Sequence, residues 1–138
     1  MSYLLDTNVI SELRKGDRAD PAVRAWFEGI DDEDIFLSVL TIGEIRQGIE
    51  RIRRRDPDAA TGLDSWVDRV VETHRERLVD VDRLVAEEWG RMNAPDPLPV
   101  IDGLLAATAK VSGHTLATRN VSDVERTGVE FVDPFARS

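Results

Sequence analysis

The spacing of apolar residues changes period several times along the chain, and each change marks an element. Tyr3-Leu4-Leu5 is a short apolar run that stops at Asp6, as a buried strand does. Thr7 or Asn8 can cap a helix reaching about Lys15, which Gly16 closes. Pro21 opens a second helix at its favoured first position, with Val23, Trp26, Phe27 and Ile30 on one face. Ile35 to Ser38 is too short for a helix and predicts a strand. Ile42, Ile45, Ile49 and Ile52 then recur at helical spacing, predicting a helix from about Thr41 to Arg55 that Asp56-Pro57 ends. Residues 59–77 predict a helix through Leu63, Trp66, Val67, Val70 and Val71. Leu78 to Val81 follows as a strand, and 82–93 as a helix carrying Leu84, Val85 and Trp89. Beyond a loop holding Pro95, Pro97 and Pro99, Val100 to Ser112 is a small-residue helix and Gly113-His114 a turn. Thr115 to Thr118 and Val129 to Val132, the latter behind Gly128, are the last strands.

Strands that alternate with helices pair in parallel, because the right-handed crossover needs an intervening helix. The predicted class is α/β: a single domain over residues 1–138, with a central parallel sheet of about five short strands covered on both faces. Ligands of such sheets bind beyond the carboxyl ends of the strands.

Composition narrows the chemistry. Cysteine is absent, which excludes disulfides, zinc ribbons and thiol catalysis. No apolar run approaches the ~18 residues of a membrane helix, and Met1 to Asp6 lacks a basic signal-peptide start, so the expectation is a cytoplasmic protein without a membrane partner. The net charge of −9 argues against a polyanionic partner. Arg46, Arg51, Arg53, Arg54 and Arg55, opposed only by Glu50, nevertheless form a local basic stripe. They are candidate RNA contacts, or simply a solvated helix end that complements the macrodipole.

Four acids fall where the sheet rule points. Asp6 follows the first strand, Glu44 lies in the first turns of the helix after the second, and Asp102 lies in the first turn of an apolar helix. Asp123 follows the strand that ends in Ala117-Thr118. Each has an ordinary structural explanation: a helix cap, a rim glutamate, a dipole-stabilised aspartate, an Asx turn. Gly103, beside Asp102, is less easily explained, since glycine in a first turn costs helix propensity and lets another group approach closely. The common edge is what the separate explanations leave out. Clustered carboxylates repel one another unless a cation sits among them, and hard oxygen donors without His or Cys favour Mg²⁺ or Mn²⁺. A histidine mechanism is disfavoured, because His74 lies on a charged helix face and His114 in a turn. Phosphate-cradling glycine loops are missing.

Several segments resemble the PIN-domain ribonucleases, specifically VapC-type toxins of toxin–antitoxin pairs and their FitB-like relatives. They are Leu5-Asp6-Thr7-Asn8-Val9-Ile10-Ser11-Glu12, Thr41-Ile42-Gly43-Glu44-Ile45-Arg46-Gln47-Gly48, Ile101-Asp102-Gly103-Leu104-Leu105-Ala106-Ala107-Thr108-Ala109 and Leu116-Ala117-Thr118-Arg119-Asn120. The resemblance implies a PIN-like α/β/α fold and Mg²⁺-dependent endoribonucleolytic hydrolysis by a metal-activated water, with Mn²⁺ as a substitute. It implies Asp6 and Asp102 as principal metal ligands, Glu44 as a ligand or water holder and Asp123 as the fourth acid. Asn120, Thr118 and Thr7 become polar supports, and Asn8 a residue of the first turn. It further implies an RNA substrate, a homodimer, and a cognate VapB-like antitoxin with a basic tail, in a heterotetramer or larger assembly. Two segments depart from the pattern: Asp123-Val124 replaces Asp-Phe, and Asp133-Pro134-Phe135 replaces Asn-Pro-aromatic, with Asp133 expected to be structural. Two other readings remain. One is a non-catalytic acidic scaffold for a basic partner segment. The other is aspartyl-phosphate chemistry on Asp6, which is disfavoured because Asn8 stands where a second acid is needed and Lys110 lies inside a helix.

Overall fold

In the computed structural model, which describes residues 1–136, side chains along each strand alternate between two apolar layers. Strands β1 (Tyr3–Leu5), β2 (Ile35–Ser38), β3 (Leu78–Val79), β4 (Thr115–Ala117) and β5 (Phe131–Val132) form one parallel sheet in the order β3-β2-β1-β4-β5. Leu5, Ile35, Leu37, Leu78, Ala117 and Val132 face one layer, while Leu4, Phe36, Val79, Leu116 and Phe131 face the other. The period of two therefore puts apolar side chains on both faces, as a sheet between two helical layers demands.

Helices α1 (Thr7–Leu13), α2 (Pro21–Glu28), α3 (Val39–Arg53) and α4 (Pro57–Thr73) cover the first face. Helices α5 (Arg83–Asn93), α6 (Val100–Ser112) and α7 (Val121–Glu125) cover the second. Handedness explains the division. Connections from β1 through β3 step along the sheet in one direction, then β4 and β5 step back the other way, and right-handed crossovers must then place their helices on opposite faces. The reversal leaves a crevice beyond the carboxyl ends of β1 and β4, where an open parallel sheet binds its ligands.

The structure moves several predicted boundaries. Asp6, not Thr7 or Asn8, caps α1, and α1 ends at Leu13 rather than Lys15. Ser38 caps α3 through Leu40 N–H at 3.0 Å, so α3 starts two residues before Thr41 and ends at Arg53. Asp56 and Pro57 start α4 as well as ending α3, and a 3-10 turn at Arg75–Arg77 replaces its predicted end. Leu84 is exposed, so the apolar face of α5 rests on Val85 instead. Strands β3, β4 and β5 are shorter than predicted, and α7 was not predicted at all. Gly113 ends α6 at φ +74°, where a side chain would be strained, and so turns the chain into β4. Among the described residues, no helix is long and apolar enough to cross a membrane.

Candidate active site

Asp6 is positioned by the strand behind it and the helix ahead. Its N–H still pairs with Ala117 of β4 at 2.9 Å, while its side chain already serves α1. Oδ1 accepts from Thr7 N–H at 2.6 Å, and Oδ2 accepts from the Thr118 hydroxyl at 2.7 Å and from Asn8 Nδ2 at 3.2 Å. The capping explanation and the cluster explanation thus hold for one carboxylate. Asp6 is only 7% exposed, and no Lys or Arg pairs with it among the described residues. Burial pushes its pKa above the ordinary 3.8, against the opposing pull of the Thr118, Thr7 and Asn8 bonds.

Thr7 ties a second acid to the first. Its N–H serves Asp6 while its hydroxyl donates to Glu44 Oε1, joining the start of α1 to the second turn of α3. Asn8 makes a comparable bridge, because its Oδ1 accepts from Arg119 N–H at 3.3 Å beyond β4. Thr118 is fully buried and accepts from Asn120 N–H at 3.0 Å, so Asn120 supports the network through its backbone. Asp123 lies in the first turn of α7. Val124 beside it is 3% exposed in the second apolar layer, filling a core position.

Asp102 supplies the measure of proximity. Burial raises its pKa above the ordinary 3.8 most, and the negative charges of Asp6, Glu44 and Asp123 raise it further. Asp6, Glu44 and Asp123 therefore all lie within electrostatic reach of Asp102, and none of the four is in an ion pair among the described residues. They do not close on a single point. Among the described residues, no three Asp, Glu or His side chains stand close enough to hold a metal ion as they are. Both observations stand together: repulsion reaches across roughly 10 Å at moderate salt, whereas Mg²⁺ needs oxygens at about 2.0–2.1 Å.

The glycine beside Asp102 has a neighbour to admit. A Cβ on Gly103 would lie 3.0 Å from both amide atoms of Asn93 and 3.1 Å from Trp89 Nε1. Asn93 Nδ2 donates to Trp89 O at 2.9 Å, and its Oδ1 accepts from Leu98 N–H at 3.0 Å. The amide thereby fastens the proline loop to α5 and carries the first turn of α6 on top of it. Asn93 was missed in the sequence, where the available signal was a polar residue four positions after Trp89, on the same helix face.

The basic stripe divides. Arg46 pairs with Asp64 at 3.5 Å and Asp68 at 2.6 Å, and Arg53 with Glu50 at 2.8 Å and Asp64 at 2.6 Å, so both staple α3 to α4. Arg51, Arg54 and Arg55 are exposed and in no ion pair among the described residues. Neither histidine joins the acids. His114 stacks on Phe36 at 4.1 Å and bonds Ser2 at 2.6 Å, and His74, the residue after α4, bonds Val70 O in the last turn of that helix at 2.8 Å.

Comparison with known proteins places this arrangement. The PIN domain family model matches residues 3–128. The chain is 32% identical over 140 residues to VapC ribonuclease Y4jK of Sinorhizobium fredii, covering 96% of each protein. It is 27% identical to Toxin FitB of Neisseria gonorrhoeae over 137 residues, covering 96% of this chain and 97% of that one. A solved structure of FitAB bound to a DNA fragment superposes with a TM-score of 0.89 at 27% identity, over 99% of this chain and 97% of the other. The chain belongs to the PIN-domain family and, within it, to the VapC ribonucleases.

Proposed function

We propose that this protein is the toxin of a toxin–antitoxin pair, a cytoplasmic endoribonuclease that hydrolyses RNA phosphodiester bonds with Mg²⁺, or Mn²⁺ in its place. One observation carries the reading: four carboxylates come from separate segments, the charges of three of them raise the pKa of Asp102, and none has a cation partner among the described residues. Asp6, the buried one, has hydrogen bonds but no cation, and a buried carboxylate without a charge partner costs stability. The donor set fits a hard divalent ion, which Asp6, Asp102, Glu44 and Asp123 would hold. Such an ion supplies positive charge to the phosphate oxygens and makes a water acidic enough to attack at neutral pH.

The chain's own residues prepare that chemistry. Thr118, Asn8 and Thr7 fix both oxygens of Asp6, so that carboxylate does not have to be ordered when substrate arrives. Thr7 occupies Glu44 Oε1, and Oε2 remains to accept a proton or hold a water. Asp102 stands on a helix whose first turn rests on Asn93, and its placement follows from that packing. The partner we propose is an antitoxin whose segment lies in the cavity of about 260 Å³ between α1, α3 and α4. Ile45, Ile49, Leu63 and Trp66 would take its apolar side chains, and Glu44 at one end would attract a basic one. Arg51, Arg54 and Arg55 remain candidate RNA contacts.

Cleavage of mixed RNA in Mg²⁺ or Mn²⁺ tests the reading, with EDTA and Asp6→Asn as controls. Activity should vanish under both. Activity that survives them would assign the cleavage to a contaminant or another mechanism, and no cleavage by the parent protein would leave the acidic cluster as a scaffold.

A further inference from the structure

A chain of net charge −9 that presents a carboxylate cluster to RNA needs a cation placed to hold the phosphates on either side. Eight of the described arginines are already committed, whereas Arg18, Arg51, Arg54, Arg55 and Arg69 are exposed, in no ion pair among the described residues and outside the hydrogen bonds that hold Asp6. Arg24, Arg46, Arg53, Arg75, Arg83, Arg91 and Arg126 are in ion pairs, and Arg77 donates to Ile35 O. Arg14, in no ion pair among the described residues, stands at the far end of α1, a helix of seven residues. That puts it about 12 Å along the axis from Asp6, over the Trp66 ring at 5.8 Å and in the lining of the cavity assigned above to the antitoxin.

Arg119 also lies over a ring, but its place is different. It follows Thr118, whose hydroxyl holds Asp6, and its own N–H donates to Asn8, which also holds Asp6. The backbone of Arg119 is therefore part of the network that orders the cluster. Its side chain does not turn back onto those acids. The residue is exposed, and the guanidinium lies 4.5 Å from the centroid of the Phe135 ring, in no ion pair among the described residues. Phe135 is itself anchored: its N–H donates to Asp133 at 2.9 Å, and its ring packs on the first apolar layer.

Stacking on a ring face orients a guanidinium without using its donors. The N–H groups lie in the plane and point outward, so the fork stays available for two parallel bonds to a phosphate. A carboxylate partner would have consumed those donors. We propose that Arg119, supported by Phe135, binds a backbone phosphate of single-stranded RNA beside the one being cut, on the β5 side of the cluster. The proposal rests on the ribonuclease reading above for its ligand.

The test follows cleavage of a fluorogenic single-stranded RNA by the parent protein, Arg119→Ala, Arg119→Lys and Arg75→Ala, with kcat and KM measured at several salt concentrations. The same RNA is titrated by fluorescence anisotropy in EDTA, and melting curves accompany each variant. Arg75 pairs with Glu72 just before β3, at the opposite edge of the sheet, and its variant removes the same charge from there. Arg119→Ala should raise KM about tenfold with kcat within about twofold, and reduce the slope of log binding constant against log salt by about 0.7. Arg119→Lys should recover the salt slope but only part of KM, because a point charge replaces the fork. Arg75→Ala should match the parent. An unchanged KM and salt slope in Arg119→Ala overturns the proposal, as does a loss of kcat at constant KM, which would confine Arg119 to ordering Asp6. A parent protein that binds this RNA without cutting it would sink the ribonuclease reading alone, because the anisotropy slopes still decide on Arg119. A parent that neither cuts nor binds it overturns both.

Discussion

Thr118 shows how much a single hydroxyl can carry. It is fully buried, donates to Asp6 Oδ2, and accepts from Asn120 N–H, so it joins the end of β4 to the carboxylate beyond β1. Thr118→Val keeps the shape and removes both bonds. Asp6 then loses the largest of the interactions that favour its charged form, and its pKa should climb further under the burial that already raises it. The expected cost is about 1–3 kcal/mol of stability, read by urea denaturation, together with a cleavage pH profile whose acidic limb moves upward. An acidic limb at its original position would show that the hydroxyl does not tune Asp6. The sequence made Thr118 a candidate through family resemblance alone. A buried threonine after a strand is otherwise unremarkable, and the partner that gives it a role lies 112 residues away.

At the scale of elements, Gly103 connects packing to chemistry. The first turn of α6 sits so close to the Asn93 amide that a methyl group would meet it at 3.0 Å. Gly103→Ala gains helix propensity of about 1 kcal/mol, but overpacking of about 1–3 kcal/mol outweighs it. The net result should be a lower melting temperature, and cleavage should fall because Asp102 moves with its neighbour. Adding Asn93→Ala opens the space while removing the Leu98 bond. The double variant should therefore be more stable than the sum of the two single losses predicts; strict additivity would show that the amide does not limit α6. The long helices were legible because their apolar faces repeat over several turns, as Ile45 and Ile49 show, buried on α3 where the spacing puts them. Helix α7 has only five residues, too few for a period, and Asn120 makes no side-chain cap to announce it. Strands of two or three residues carry equally little local signal, and their ends are decided by pairing across the sheet.

For the whole molecule, the acid cluster links folding to pH and to metal. Alternation along the strands announced a two-faced sheet, but the strand order that brings Asp6, Glu44, Asp102 and Asp123 to one edge is a non-local property. Only the common position of the acids at strand ends and helix starts hinted at it. Asp6 and Asp102 have pKa values raised above the unfolded 3.8, so between those limits the folded protein binds more protons than the unfolded chain. Stability then falls as pH rises through that window, and the penalty is complete above the raised values. His114 opposes the trend, because burial lowers its pKa below 6.5 and acidification through that range favours unfolding. A single melting curve therefore mixes the two effects, whereas the difference between the parent and Asp102→Asn cancels His114. In EDTA, Asp102→Asn should melt above the parent at neutral pH by on the order of 1–2 °C, and the gap should close as pH approaches the unfolded 3.8. Mn²⁺ should reverse the ranking. An ion that binds only the native parent adds about 2.7 kcal/mol at a hundred times its dissociation constant, and the variant, with one carboxylate fewer, should gain far less. If Asp102→Asn melts with the parent in EDTA and shares its full Mn²⁺ shift, Asp102 neither strains the metal-free protein nor holds the ion.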